Sequence, residues 1–229
     1  MRQQHLIIDA DDTLWENNIF FEQAFEEFAD FLDHRHLTRE QVRDVLDSIE
    51  SVNAKIHGYG SKRFGRNLVE TYHRLAQRPI ADSDLTQVVS FAEKILDHPI
   101  ILLPEVEETL VHLAERHQLT LFTKGQPDEQ QAKVDRSGLG RFFSHVGIVK
   151  EKEIGVYRRL ADERGFHAPH TWMIGNSPRS DVNPALRAGL NAVYIPHPRT
   201  WILEREDVAP VEGSRLLHLK RFGELREWF

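Results

Sequence analysis

Cysteine is absent from this chain of 229 residues, which excludes a disulfide framework, a thiolate nucleophile and a Cys-based zinc site. None of the thirteen histidines stands in a His-Glu-x-x-His spacing, so any metal is expected to be held mainly by oxygen. An excess of positive charge is missing too. Lys and Arg number 29 against 36 Asp and Glu, for a formal net charge of -7, and the basic residues are scattered. A nucleic-acid partner recruited by charge attraction is therefore not expected. Long hydrophobic runs are also lacking. Met1-Arg2-Gln3-Gln4-His5 leads into three apolar residues before Asp9, too few for a signal-peptide core or a membrane span. The expectation is a soluble cytoplasmic protein with no membrane partner. Repeats and low-complexity linkers are absent as well, and with 40% hydrophobic residues the chain can bury a full core, as one large domain or two modest ones.

What is present concentrates in Leu6-Ile7-Ile8-Asp9-Ala10-Asp11-Asp12-Thr13-Leu14. A run apolar on both faces fits a strand inside a parallel sheet, and ligands of open α/β sheets bind beyond the carboxyl ends of such strands. Asp9 and Asp11 fall at that edge. Carboxylates packed together repel and are costly to desolvate unless a cation or a proton lies between them. The competing reading is a loop whose Asp residues cap a following helix.

From Asn17 to about His98 the pattern is helical. Ile19, Phe20, Ala24, Phe25, Phe28, Phe31 and Leu32 recur at helical spacing, Thr38-Arg39-Glu40-Gln41 reads as a capping box, and Gly58-Tyr59-Gly60 breaks the run before helices over about 61–75 and 83–96. Strands and helices then alternate. A helix opens at Pro104 and runs to about His117, a strand covers Leu119–Phe122, and a helix runs from Asp128 to Ser137, stopped by Gly138. A strand at His145–Val149 and a helix from Glu153 to Arg164 follow, then a strand at Trp172–Ile174, a helix ending at Gly189 and a strand at Ala192–Ile195. Leu217 to Phe229 is expected to form a closing helix. The alternation predicts an α/β fold, a doubly wound parallel sheet made of residues 1–16 and 99–229, with an all-α bundle over 17–98 inserted as a lid.

Polar residues that follow the strands converge on one edge: Asp9 and Asp11, Thr123 and Lys124, Lys150 and Lys152, Asn176 and Asp181. Carboxylates, a hydroxyl and an ammonium around one point suit a divalent cation plus a phosphate, because Mg²⁺ takes a near-octahedral oxygen shell and leaves room in it for water and substrate. A carboxylate is a competent covalent nucleophile toward phosphorus. An adjacent acid that gives and then takes a proton supplies roughly 10²- to 10⁴-fold.

Across nearly its whole length the chain resembles the haloacid dehalogenase-like (HAD) superfamily. Asp9-Ala10-Asp11-Asp12-Thr13-Leu14 is similar to the first motif, Leu121-Phe122-Thr123-Lys124-Gly125 to the second, Lys152 with Tyr157 to the third, and Ile174-Gly175-Asn176-Ser177 through Asp181 to the fourth. The resemblance implies that Asp9 attacks phosphorus to form an aspartyl-phosphate, that Asp11 protonates the leaving oxygen and then deprotonates water, and that Thr123 and Lys152 hold the transferring oxygens. Asp9, Asp11 and Asp181 are then the candidate Mg²⁺ ligands. The second Asp implies the phosphatase and phosphotransferase branch, and the interval of about 110 residues between Thr13 and Thr123 implies an α-helical cap. Asn176 stands where such phosphatases usually carry an acid, which removes a negative charge and leaves Asn176 in the outer shell of the metal, with a claim on substrate binding that it shares with Lys124. The implied substrate is a small phosphorylated metabolite; a phosphomutase, a phosphotransferase and a catalytically silent module remain the alternatives.

Several residues carry two readings. Lys150 competes with Lys152, and the spacing to Tyr157 favours Lys152. Lys124 is either a substrate contact or an exposed helix-entry residue. Asp12 reads as a turn acid, and His197 as structural with a lesser claim on substrate. Gly58 to Arg63 is either a helix-helix turn or an anion-binding loop. Phe20, Phe21, Phe25 and Phe28 read as core.

Overall fold

The computed structural model describes residues 3–229. It divides into two compact units, one made of the segment ending at Glu16 together with Ile100–Phe229, the other of Asn17–Pro99.

The second unit is all helical: α1 (Asn18–Leu32), α2 (Arg39–His57), α3 (Ser61–Leu75) and α4 (Asp82–Glu93), with a 3₁₀ turn at Lys94–Asp97. Amphipathic spacing builds it. Phe20, Phe25 and Phe28 of α1 pack with Val42 and Leu46 of α2, Phe64, Leu68 and Tyr72 of α3, and Val88 and Phe91 of α4, while Phe21 lies partly buried against them. The capping box is formed. The Gln41 amide donates to Thr38 Oγ1 at 3.2 Å and the Thr38 amide donates to Gln41 Oε1 at 2.9 Å, which satisfies two of the otherwise unpaired donors at the start of α2. Gly58 to Arg63 makes the turn into α3, with Ser61 buried and Lys62 exposed.

The first unit is a six-stranded sheet, entirely parallel, in the order β3-β2-β1-β4-β5-β6. The strands are β1 (His5–Ile8), β2 (Gln118–Lys124), β3 (His145–Val149), β4 (Thr171–Gly175), β5 (Asn191–Tyr194) and β6 (Leu216–His218). Helices α5 (Val106–Ala114), α6 (Pro127–Ser137), α7 (Ile154–Arg164) and α8 (Asn183–Arg187) cross between them. Side chains alternate between two cores, as a pleated strand requires. Leu6, Ile8, Leu121 and Ile174 pack with Leu110 and Leu113 of α5 and Val134 of α6, whereas Ile7, Phe122 and Met173 face Tyr157 and Leu160 of α7 and Ala185 of α8. Both faces are covered, so β1 and β4 tolerate almost no polar residue.

Two expectations are corrected. The helix expected from Pro104 to His117 begins at Val106, because Glu105 takes a left-handed conformation at φ 61°, and it ends at Ala114. The closing helix expected over 217–229 does not form. Leu216–His218 pairs with Ala192–Tyr194 as β6, and Phe222–Glu227 is a 3₁₀ segment. The helix-like spacing of Phe222, Leu225 and Phe229 serves that segment, whose apolar side packs with Val106 and Leu110. Ahead of it, the backbone donors and acceptors of the β5 edge recruit Leu216 and Leu217.

Candidate active site

Each of the four adjacent strands β3, β2, β1 and β4 delivers a chemical group as it ends. Asp9 follows Ile8 of β1, Thr123 and Lys124 close β2, Lys152 follows β3, and Gly175 ends β4 just before Asn176. All lie at the carboxyl edge of the sheet.

At the centre is a buried ammonium shared by two carboxylates. Lys152 Nζ donates to Asp9 Oδ1 at 2.6 Å and to Asp181 Oδ1 at 2.7 Å. Burial works against the charged lysine, but the carboxylates of Asp181 and Asp9 outweigh it and raise the Lys152 pKa, so the ammonium keeps its proton. Asp181 is pushed up to about 7, first by burial and then by the Asp9 charge, with Lys152 compensating only in part. When both acids are ionised, the two carboxylates and one ammonium leave the cluster one positive charge short. Lys150, by contrast, is exposed, and Lys152 is the lysine that reaches the two carboxylates.

Around that centre the loops are pinned. Thr13 Oγ1 lies 2.9 Å from Asp9 Oδ2 and 3.3 Å from Asn176 Oδ1, and Asn176 Nδ2 donates to Thr200 Oγ1 at 3.4 Å. Asn176 thus reaches Asp9 through the Thr13 hydroxyl. The Asp181 turn is held by its own Oδ2, which accepts the Ser177 amide at 3.0 Å, and by Tyr157, whose hydroxyl donates to Ser180 O at 2.8 Å. Gly175 is required here. A Cβ on it would fall 2.2 Å from Asp181 Oδ2, where no side chain fits.

Asp11 is engaged elsewhere. Trp15 Nε1 donates to its Oδ1 at 2.8 Å, Gln130 Nε2 to its Oδ2 at 2.9 Å, and Lys133 Nζ reaches both oxygens at 2.6 Å. Burial pushes the Asp11 carboxyl up, but the Lys133 charge and these three donors outweigh it and hold the pKa below the usual range. Thr123 Oγ1, buried, accepts from Gln130 Nε2 at 3.1 Å. Gln130 and Lys133 were not anticipated from sequence, although their i, i+3 spacing on the helix that directly follows the Thr123 motif was a signal within reach.

Lys124 does not lie exposed at the helix entry. Its Nζ is 2.5 Å from Glu204 Oε1, 2.8 Å from Ser180 Oγ and 3.4 Å from Glu151 Oε1. Glu204 Oε2 in turn accepts from Ser177 Oγ at 2.6 Å and Ser180 Oγ at 2.5 Å. Burial raises the Glu204 pKa, but Lys124 and the two serines outweigh it and bring it below the ordinary glutamate value. Glu204 comes from a 3₁₀ turn at Ile202–Glu204, remote from every motif, and no pattern in the sequence marks it.

The three carboxylates expected to share a cation do not converge as side chains. Among the described residues, the one group of three whose donor atoms come within 4.8 Å of one another is Asp12, Glu16 and His197. There His197 Nδ1 lies 3.8 Å from Asp12 Oδ1 and Nε2 lies 3.6 Å from Glu16 Oε2. Asp12, at φ 58°, also makes the tight turn after Asp11.

Comparison with known proteins identifies the family and the fold. A family model for haloacid dehalogenase-like hydrolases matches residues 4–189. The phosphoserine phosphatase of Thermus thermophilus is 35% identical over 134 residues, which is 56% of this chain and 50% of that protein. The chain thus spans about half the length of this curated relative. A haloacid dehalogenase-like family hydrolase from Xanthomonas campestris superposes with a TM-score of 0.82 at 28% identity, over 99% of this chain and 94% of that one. The L-2-haloacid dehalogenase of Xanthobacter autotrophicus (TM-score 0.65, 16% identity, 98% and 97% covered) and a HAD-hydrolase from Bacillus subtilis bound to magnesium (0.67, 16%, 100% and 99%) share the fold. With a family match that runs from β1 to the turn before β5, this chain belongs to the haloacid dehalogenase-like hydrolases.

Proposed function

We propose that the chain hydrolyses a small phosphate monoester through an aspartyl-phosphate on Asp9, with Mg²⁺ as cofactor. The observation that carries this reading is the buried cluster in which Asp9 and Asp181 share the single ammonium of Lys152, with a second acid two residues from Asp9. The cluster's uncompensated negative charge fits a dication. Asp9 and Asp181 are the residues that would hold it, water completing an oxygen shell of the kind Mg²⁺ favours. The Asp11 side chain, committed to Trp15, Gln130 and Lys133, is left for proton transfer. Bound there, the cation neutralises charge on the transferring oxygens, the dominant electrostatic contribution in phosphoryl transfer.

The protein's own groups do the rest. Lys152 and Thr13 fix the two oxygens of Asp9, so that a carboxylate oxygen attacks phosphorus while the ester P–O bond breaks. Asp11 gives its proton to the departing oxygen and later takes one from the water that cleaves the acyl phosphate. Lys133 favours the carboxylate form, the form that second step needs; an arriving phosphate dianion opposes this and promotes proton uptake by Asp11. Thr123 offers a hydroxyl to a phosphate oxygen. Asn176 acts through Thr13, and Lys124 supports the Asp181 turn from behind. The helical unit inserted between Glu16 and Ile100 takes the part of a substrate-selecting cap.

Release of phosphate from a panel of phosphorylated metabolites and from p-nitrophenyl phosphate, with Mg²⁺ and with EDTA, tests the reading. We expect Mg²⁺-dependent turnover that Asp9→Asn abolishes. Halide release from a 2-haloacid with no phosphate release from any ester would overturn it.

A further inference from the structure

The Asp11 carboxylate is more constrained than a residue that only relays a proton has to be. Four donor contacts from three side chains occupy its two oxygens: Trp15 on Oδ1, Gln130 on Oδ2, and Lys133 on both. Two of those side chains come from one face of α6. They lie a single turn apart, at i and i+3, so the helix presents them together. Gln130 is a junction as well. Its Nε2 also reaches Lys124 O at 2.6 Å and Thr123 Oγ1 at 3.1 Å, tying the end of β2 to the loop after β1. The junction needs a glycine beside it. Gly125 has φ +148°, and a Cβ there would sit 2.9 Å from Gln130 Nε2 and 3.0 Å from its Cγ, so the Thr123-Lys124-Gly125 sequence makes room for the Gln130 side chain.

An ordinary surface ion pair does not look like this. Exposed pairs contribute about 0–1 kcal/mol and leave both side chains free to wander. Here Lys133 and Asp11 are mostly buried, at 17% and 22% side-chain exposure, and the ammonium bridges both oxygens. Such a lock orients the carboxyl group, and orientation matters for a proton transfer that works only over about 2.6–3.2 Å. Misplacement by about 1 Å can cost on the order of 10²-fold.

We propose that Gln130 and Lys133 are positioning residues that aim Asp11 at the departing ester oxygen, and thereby set how well the chain cleaves esters of weakly acidic alcohols. The proposal rests on the phosphatase reading above. In the step concerned, the Asp11 proton bonds to the ester oxygen as the P–O bond breaks and Asp9 takes the phosphoryl group; Gln130 and Lys133 contribute no atoms. An alkoxide must be protonated as it leaves, whereas a nitrophenolate departs as the anion. Loss of aim therefore penalises alkyl esters more than activated aryl esters.

The test is kcat/KM for glycerol 2-phosphate and for p-nitrophenyl phosphate, measured in the same preparations of wild type, Lys133→Met, Lys133→Gln and Gln130→Ala. The alkyl-to-aryl ratio should fall at least tenfold in all three variants, and Lys133→Arg should restore part of it. Because the ratio is taken within one preparation, any unfolded fraction cancels. A ratio within twofold of wild type, even with both activities reduced, would show that these residues only stabilise the fold and would overturn the proposal. Wild type inactive toward both esters would refute the phosphatase reading itself.

Discussion

Replacing Lys124 by Met removes the cation from a buried network while preserving the length of the side chain. The Lys124–Glu204 pair is separated by 2.5 Å, with side-chain exposures of 14% and 10%. At an effective dielectric of about 20 that separation corresponds to about 7 kcal/mol of gross attraction, against which the desolvation of both charges must be set. Breaking such a pair from one side typically costs about 3–5 kcal/mol, because the remaining charge is stranded. The Ser177 and Ser180 hydroxyls still donate to Glu204, which favours the lower end. For a chain of this size each kcal/mol shifts Tm by about 2–4 °C, so Lys124→Met should melt about 6–12 °C below wild type. Trp15, Trp172, Trp201 and Trp228, the four tryptophans, all lie in the α/β unit, so intrinsic fluorescence follows that unit alone. The control is Lys124→Met combined with Glu204→Gln, in which an amide that accepts from the same serines replaces the stranded carboxylate. The double variant should recover at least half of the loss. A loss below about 1 kcal/mol in Lys124→Met, or a double variant no more stable than the single, would refute the account of a buried, mutually dependent pair.

The depressed Glu204 pKa carries a pH signature. A carboxylate with a lowered folded pKa contributes stability above its unfolded pKa and loses it as pH falls through the folded value. The Tm gap between wild type and Glu204→Gln should therefore be full near pH 7 and close as pH drops below the ordinary glutamate value; a gap that widens on acidification contradicts the assignment. Gly175→Ala should displace the Asp181 carboxylate from Lys152, since the added Cβ would lie 2.4 Å from Asp181 Cγ. Phosphate release should drop by about 10², and activity within twofold of wild type would show that the turn accommodates the methyl group.

Much of the site was legible because parallel strands end at one edge. Once Leu6–Ile8, Leu119–Phe122, His145–Val149 and Trp172–Ile174 are read as strands, Asp9, Thr123, Lys152 and Asp181 must gather, whatever the helices do. The direction of a side chain is another matter. Asp9 and Asp11 look equivalent in sequence, yet one turns to Lys152 and the other to Lys133, a choice made by the tight turn at Asp12 and by the approach of α6. Lys124 was legible as a cation near the edge but not as the partner of Glu204, which lies 80 residues away. Phe222, Leu225 and Phe229 suggested a helix since apolar spacing alone does not distinguish a 3₁₀ segment from an α-helix, and β6 was concealed because three residues hold too little pattern to read.

The central position of β1 bears on how the protein is made. His5 pairs with Gln118 on one side and Thr171 on the other, so β1, which leads into Asp9, is synthesised well before either of its neighbours. The contacts within Asn17–Pro99 are available as soon as that stretch is synthesised, while β1 has no sheet partner until Gln118 has been added. At about 5–20 residues per second, an unpaired apolar strand is exposed for several seconds during translation. Closing so long a loop is also entropically costly before any pairing offsets it. A nascent chain that ends before β2 therefore carries the helical stretch together with an unpaired apolar segment, and that interval is when a chaperone has most to do.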